Sequence, residues 1–156
     1  MKREIRALFK NVLIEEKGKK ITITAKKEQT LELLRFLKNK GYNYLVLISA
    51  VDWIKEKEFE LIYVLSSYVR KEKLHVILKT RIPRENPRFK TVIPIFENAE
   101  PYEREIHELF GIKFEGHPRL TPLLLERDYR IPPFRKDFDT RKYVKKFFEE
   151  IPSIEP

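Results

Sequence analysis

The chain has 156 residues, 42% hydrophobic and 12% aromatic, which suits one packed domain and excludes both a disordered segment and two full domains. Thirty-three Lys and Arg against 24 Asp and Glu leave a charge of +9, which asks for an anionic partner such as nucleic acid, an acidic lipid surface or an acidic protein. There is no cysteine, so this chain forms no disulfide and supplies no thiolate to zinc or to an iron–sulfur cluster.

The opening M-K-R-E-I-R-A-L-F-K is too charged for a secretory leader, and an intracellular protein is expected. Residues 3–9 read as a short helix with Ile5, Leu8 and Phe9 on one side. Residues 12–16 and 20–25 read as two strands about Lys17-Gly18-Lys19, the I-T-I-T alternation having period two. Residues 28–39 form a helix through Leu31, Leu34 and Leu37, with Leu33 and Phe36 beside them and Gly41 as the stop.

Three strand-like segments follow at 42–53, 59–68 and 73–81, set as an antiparallel meander. The longest apolar run, Y-L-V-L-I-S-A-V at 44–51, falls far short of the roughly 18 residues that span a bilayer. Strands and helices do not alternate strictly, which indicates α+β: a two-layer mixed or antiparallel sheet with helices on one face. Residues 82–99 are irregular and basic, and 91–96 either open a short helix or lead into the next one.

Pro101 and Gly111 bracket that next helix, with proline inside the start and glycine past the end. Ile106, Leu109 and Phe110 make its apolar face; Glu103, Arg104 and Glu108 are expected away from it, with Arg104 and Glu108 paired at i, i+4. Metal chemistry at His107-Glu108 fails on spacing, because a zinc helix needs a second His four residues on and position 111 is Gly. His117 precedes Pro118 and is therefore presented at a turn.

None of the ten prolines precedes Pro83, whereas Pro118, Pro122, Pro132, Pro133, Pro152 and Pro156 crowd the end. Proline interrupts helices and sheet ladders, so the chain divides into an α+β domain, residues 1–116, and an extended proline-rich tail, residues 117–156. The tail's apolar side chains, Leu120, Leu123 to Leu125, Tyr129, Ile131, Phe134 and Phe138, either wrap the chain's own domain or lie in a groove of another subunit. Arg135, Lys136 and Asp137 give it a charged anchor.

The ordered run Y-E-R-E-I-H-E-L-F-G-I-K-F-E-G-H-P-R-L, followed by P-F-R-K-D-F, resembles the signature of the thirty-kilodalton subunit of respiratory complex I and its counterparts in energy-converting membrane-bound hydrogenases. It departs from the family pattern at Glu108, where Asp is expected, at His107, where an aromatic ring is common, and at Phe134, which replaces Leu. Arg119 reverses a usually acidic charge, and the short chain points to a hydrogenase-type or sulfur-reducing relative rather than a quinone-reducing one.

The resemblance implies a non-catalytic, hydrophilic, peripheral-arm subunit on the cytoplasmic side of the cell membrane, reaching the membrane only through its complex. It would dock on a large NiFe-hydrogenase-like or 49-kilodalton-type subunit, near a small iron–sulfur subunit, with clusters and any NiFe centre held by those partners. The assembly would couple electron transfer to ion pumping. Glu103, Arg104, Glu105, His117, Arg135, Lys136 and Asp137 become the partner-binding and fold-locking candidates, with no catalytic, cofactor-binding or metal residue in this chain. The abundance of charge (37%) and the scarcity of Asn, Gln and Cys suit a thermophile.

The alternative is a free-standing basic nucleic-acid-binding domain, but Glu is interspersed with Lys throughout and no basic stripe emerges. An enzyme built on Glu103, Glu105, His107 or His117 lacks a nucleophile paired to a base, a ligand set or a cofactor loop.

Overall fold

The computed structural model describes residues 1–68, 75–125 and 129–147. In chain order come α1 (Lys2–Leu8), β1 (Leu13–Lys17), β2 (Lys20–Ala25), α2 (Lys27–Asn39), β3 (Tyr44–Trp53), β4 (Glu58–Ser66), β5 (His75–Pro83) and β6 (Arg88–Lys90). A 3-10 turn at Glu97–Ala99 then leads into α3 (Glu100–Phe110), β7 (Lys113–Glu115) and α4 (Thr140–Phe147).

The five longer strands form one sheet in the order β1-β2-β5-β4-β3. The expected meander is present, since β3, β4 and β5 pair antiparallel, and β1 and β2 form the expected hairpin. Between the two units β2 lies parallel to β5, Ile21 opposite Val76 and Ile23 opposite Leu78, which makes the sheet mixed. A small parallel pair, β6 with β7, sets Phe89 opposite Phe114.

One sheet face is dry: Ile21, Ile23, Leu61, Tyr63, Leu65, Val76 and Leu78 are essentially inaccessible. Their alternates Thr22, Ile62, Val64 and Ile77 stay half-buried, the period-two signature of a sheet covered on one side. The cover comes from Ile5 of α1, Leu33, Leu34 and Leu37 of α2, and Ile106, Leu109 and Phe110 of α3, all in the same apolar cluster. Leu8 does not share the face expected for it; it is 64% exposed, because α1 ends there and only Ile5 and Phe9 turn inward.

Residues 91–96 form a turn and not a helix, closed by Ile95 and Phe96 N–H groups on the Val92 carbonyl. The C-terminal segment also differs from uniformly extended chain, because Thr140–Phe147, which lies in a proline-free stretch between Pro133 and Pro152, is helical. Residues 148–156, the end of the expected tail, and residues 73–74 of an expected strand lie outside the described residues. Among the described residues no helix is long and apolar enough to cross a membrane.

Candidate functional site

Helix α3 is bracketed as its sequence dictates. Pro101 sits in the first turn, and Gly111 takes the left-handed conformation (φ 77°) with its N–H on the His107 carbonyl. Ile106, Leu109 and Phe110 face the core as expected. Phe110 meets Phe59 of β4 edge-on at 6.0 Å between centroids and Phe134 at 5.8 Å, an aromatic chain from sheet to helix to tail.

The polar side chains of α3 depart from the expected outward face. Glu103 is wholly buried, accepting hydrogen bonds from the Thr91 hydroxyl at 2.6 Å and the Val92 N–H at 2.7 Å. Burial pushes its carboxyl up to about 7, even though both donors favour the charged form. Arg104 is 8% exposed; its guanidinium donates to the carbonyls of Thr121 (3.1 Å) and Pro122 (2.9 Å) and lies 3.5 Å from Glu100. Within this fold the charges of Glu103 and Arg104 are both met by groups of their own chain.

Glu108 makes no ion pair with Arg104 at i, i+4. Its carboxylate accepts three successive backbone N–H groups, from Leu123 (3.1 Å), Leu124 (2.9 Å) and Leu125 (2.6 Å). Burial would raise its pKa, but these donors together with Arg104 hold it below the usual carboxylate value. Arg104 and Glu108 therefore pin residues 121–125 between them, one through carbonyls and the other through amides.

Both histidines on this side are packed. His107 Nδ1 contacts the Ile112 carbonyl at 2.9 Å, which requires it to be the donor. At His117 the Arg119 N–H donates to Nδ1 (3.0 Å) while Nε2 faces the Glu100 carbonyl (3.2 Å), which fixes the Nε2–H tautomer. Glu105 differs from its neighbours: it is half-buried and makes no hydrogen bond or ion pair with any described residue.

The closing P-F-R-K-D-F motif folds back on its own domain. Phe134 N–H donates to the Leu109 carbonyl (3.0 Å), and Lys136 N–H donates to Asp52 Oδ2 (2.9 Å). Asp52, its side chain 1% exposed at the end of β3, also receives Arg84 in a two-pronged grip at 2.8 and 3.1 Å. Arg84 reaches on to Asp137 at 2.6 Å, and Arg135 lies 3.3 Å from the same carboxylate.

Both guanidinium groups lie over the Phe59 ring, at 5.7 and 5.6 Å. Burial works to raise Asp52, but Arg84 and the Lys136 amide outweigh it and keep the carboxyl below its ordinary value. Of the open alternatives for the tail, wrapping its own domain holds for residues 117–125 and 132–138.

The comparison with known families settles the identity of this arrangement. Residues 23–144 match the family described as the respiratory-chain NADH dehydrogenase 30 Kd subunit, a span that contains α3, the clamp and the closing motif. The chain belongs to that family. This 30 Kd-subunit member is similar to the C subunit of the F(420)H(2) dehydrogenase of Methanosarcina mazei, 36% identical over 115 residues, covering 72% of each chain. It is also similar to the C subunit of the NADH-quinone oxidoreductase of Moorella thermoacetica, 32% identical over 136 residues, covering 86% of this chain and 90% of that one.

Among solved structures it resembles a chain in the membrane-bound sulfane sulfur reductase, an archaeal respiratory membrane complex. The TM-score is 0.86 and the identity 30%, with coverage of 99% and 92%. It resembles a trypsin-resistant fragment of Nqo5 with TM-score 0.65 and 31% identity, over 76% of this chain and 95% of that one.

The sequence pointed to α3 and the closing motif, and the fold brings them together at the end of the sheet where β5 stops. Neither the pairing of Asp52 with Arg84, 32 residues apart, nor the amide-binding role of Glu108 is legible from local spacing. A lone Asp closing an apolar strand run, V-D-W, is the one signal available, since a carboxylate there is buried unless the strand has ended.

Proposed function

We propose that this 30 Kd-subunit member is a non-catalytic, hydrophilic subunit of a membrane-bound, complex I-like or energy-converting hydrogenase-type complex. It docks on the large, NiFe-hydrogenase-like subunit and lies near the small iron–sulfur subunit. In that role it carries no redox centre; clusters and any NiFe centre are held by the neighbours, and electron transfer coupled to ion movement is a property of the assembly. The host on this reading is a thermophilic archaeon, with the subunit on the cytoplasmic side of the membrane.

The observation that supports the reading best is the likeness of nearly the whole chain, 99% of it, to a chain of an archaeal respiratory membrane complex. The chain's chemistry fits. Its most elaborate polar structure, Asp52–Arg84–Asp137 with Arg104 and Glu108, is spent on fixing the shape of a surface, with Leu123, Leu124, Ile131 and Phe134 left 38–61% exposed beside it.

The test is to tag the chain in its own host and purify it from solubilised membranes. The expected result is co-purification of a large hydrogenase-like subunit, an iron–sulfur subunit and antiporter-like membrane proteins in fixed ratio. Recovery of the chain alone, or bound to nucleic acid with an affinity that falls steeply with salt, would overturn the proposal.

A further inference from the structure

A charge of +9 asks for an anion, and one place in the fold gathers cations that its own chain leaves unanswered. Lys17, Lys19, Lys20 and His75 line a cleft of about 590 Å³ at the end of the sheet where β1 turns into β2. The turn is the two-residue Gly18-Lys19, with Gly18 left-handed at φ 58°, so Lys17 stands directly opposite Lys20. Strand β5 sets His75 opposite Lys20 from the other side, and the His75 N–H donates to the Lys19 carbonyl at 3.0 Å. Paired residues share a face, so Lys17, Lys20 and His75 form one row across three strands, about 10 Å long at the usual strand spacing.

Like charges directly opposite one another destabilise a sheet. Nothing relieves them here: the three lysines make no ion pair or side-chain hydrogen bond with any described residue. The carboxylates of β1 do not fill the gap, since Glu16 pairs with Lys2 and Glu15 stands one row along the sheet, opposite Thr22. His75 adds an unmet group. Its Nδ1 is buried without a hydrogen-bond partner, which keeps the proton of the neutral ring on Nε2, the nitrogen left to donate. Among its described residues the cleft therefore presents donors only, from three ammonium groups and one imidazole.

The donor type selects the ligand. A lysine ammonium is a compact point charge that suits phosphate, whereas two-pronged recognition of a carboxylate calls for arginine, and no arginine is among the described lining residues. One carboxylate would leave most of the row's charge unanswered, while a phosphate group carries about −1.5 to −2 at pH 7. Glu15 and Glu16 border the row on β1, which disfavours a long nucleic-acid backbone and favours a compact anion.

We propose that this cleft binds a compact oligophosphate, a ligand with two or more adjacent phosphate groups such as a nucleoside diphosphate. Lys17, Lys19 and Lys20 hold the phosphates, and His75 Nε2–H is the fixed donor. The site goes beyond the role as a subunit and is tested independently of it.

The experiment uses the full chain, whose three histidines give few imidazole signals in an NMR spectrum. Pyrophosphate or ADP is expected to shift the His75 signal, assigned by its loss in His75→Gln, and to leave His107 and His117 in place. Lys17→Gln and Lys20→Gln should each weaken binding about tenfold, a typical loss for one charge-assisted contact. Lys113→Gln on β7 removes the same charge and should change nothing. Lys20→Glu turns a repulsive pair into an attractive one, so that chain should melt above the parent and yet bind no pyrophosphate.

Vesicles separate two sources of the ligand. Retention on phosphatidylcholine vesicles doped with an isoprenyl diphosphate, with no response to ADP, places the diphosphate on a lipid; a response to ADP places it on a soluble molecule. Citrate, with three carboxylates, is the control for charge alone. Citrate binding as tightly as pyrophosphate, an equal loss in Lys113→Gln, or a His75 signal that no diphosphate moves overturns the proposal. So does a single-stranded oligonucleotide that binds the same row more tightly than ADP.

Discussion

Replacing Asp52 by Ala removes, in one step, both carboxylate oxygens that hold Arg84 and the acceptor of the Lys136 amide. Arg84 keeps Asp137 at 2.6 Å, yet its side chain is only 13% exposed, so water recovers little of the lost solvation. Removing one partner of a buried ion pair costs about 3–5 kcal/mol, and the surviving Asp137 contact sets the expectation near 3 kcal/mol. That loss falls on the docking of residues 132–138 before it falls on the core.

At about 1.4 kcal/mol per factor of ten, the undocked population rises by about two orders of magnitude. Brief digestion with trypsin reads this directly at Arg130, Arg135 and Lys136, since cleavage follows the open population when reclosing is fast. A companion Arg84→Met chain, which strands the Asp52 carboxylate, should be at least as open. The double variant should be less open than the sum of the two, because the pair is then removed whole. Cleavage of the Asp52→Ala chain within threefold of the parent, with an unchanged melt, would refute the clamp.

Glu103 predicts a pH dependence of unusual sign. Its folded value of about 7 lies above its ordinary 4.5, so the folded chain binds the extra proton between those limits and stability falls by about 3 kcal/mol as pH rises from 4.5 to 7, then levels off. Glu103→Gln should abolish that slope in urea melts and be the more stable chain at pH 8; parallel curves for the two proteins would sink the assignment. Asp52 works the other way, its lowered value making the clamp contribute above the ordinary carboxylate range and fail as pH drops through the folded value. Glu108→Gln leaves three amides sharing one neutral acceptor; amide exchange at Leu123 to Leu125 should accelerate at least tenfold while exchange in β4 is unchanged. Gly111→Ala forces a Cβ to 3.0 Å from Pro132 Cγ in a left-handed residue, a loss of about 1 kcal/mol or more measurable by denaturation.

Periodicity reveals which face of an element is buried, and it served well wherever that was the question. The alternation in Lys20–Ala25 and the bracketed apolar stripe of Glu100–Phe110 both fold as read. It is silent on neighbours, so the parallel seating of β2 against β5 was not legible, and three-residue strands such as β6 and β7 are too short to carry a period.

The candidate site shows the same limit. Glu103 and Arg104 read as solvent-facing because amphipathic patterning assigns charge to water, yet the chain returns at Thr91–Val92 and Thr121–Pro122 to bury them. Such burial depends on contacts 11 to 18 residues away, which local spacing does not encode. Asp52 and Lys136 meet across 84 residues, and neither neighbourhood encodes the other.

The clamp at Asp52 also marks a natural cut in the polypeptide. The bonds that fasten residues 132–138 to the sheet and to α3 are all made upstream of Thr140. Helix α4 leans on that fastened segment through Tyr143, whose ring lies tilted against Phe138 and stacks on Tyr129, so it hangs from a fixed post. A change confined to residues beyond Thr140 therefore leaves every bond that holds the post in place untouched.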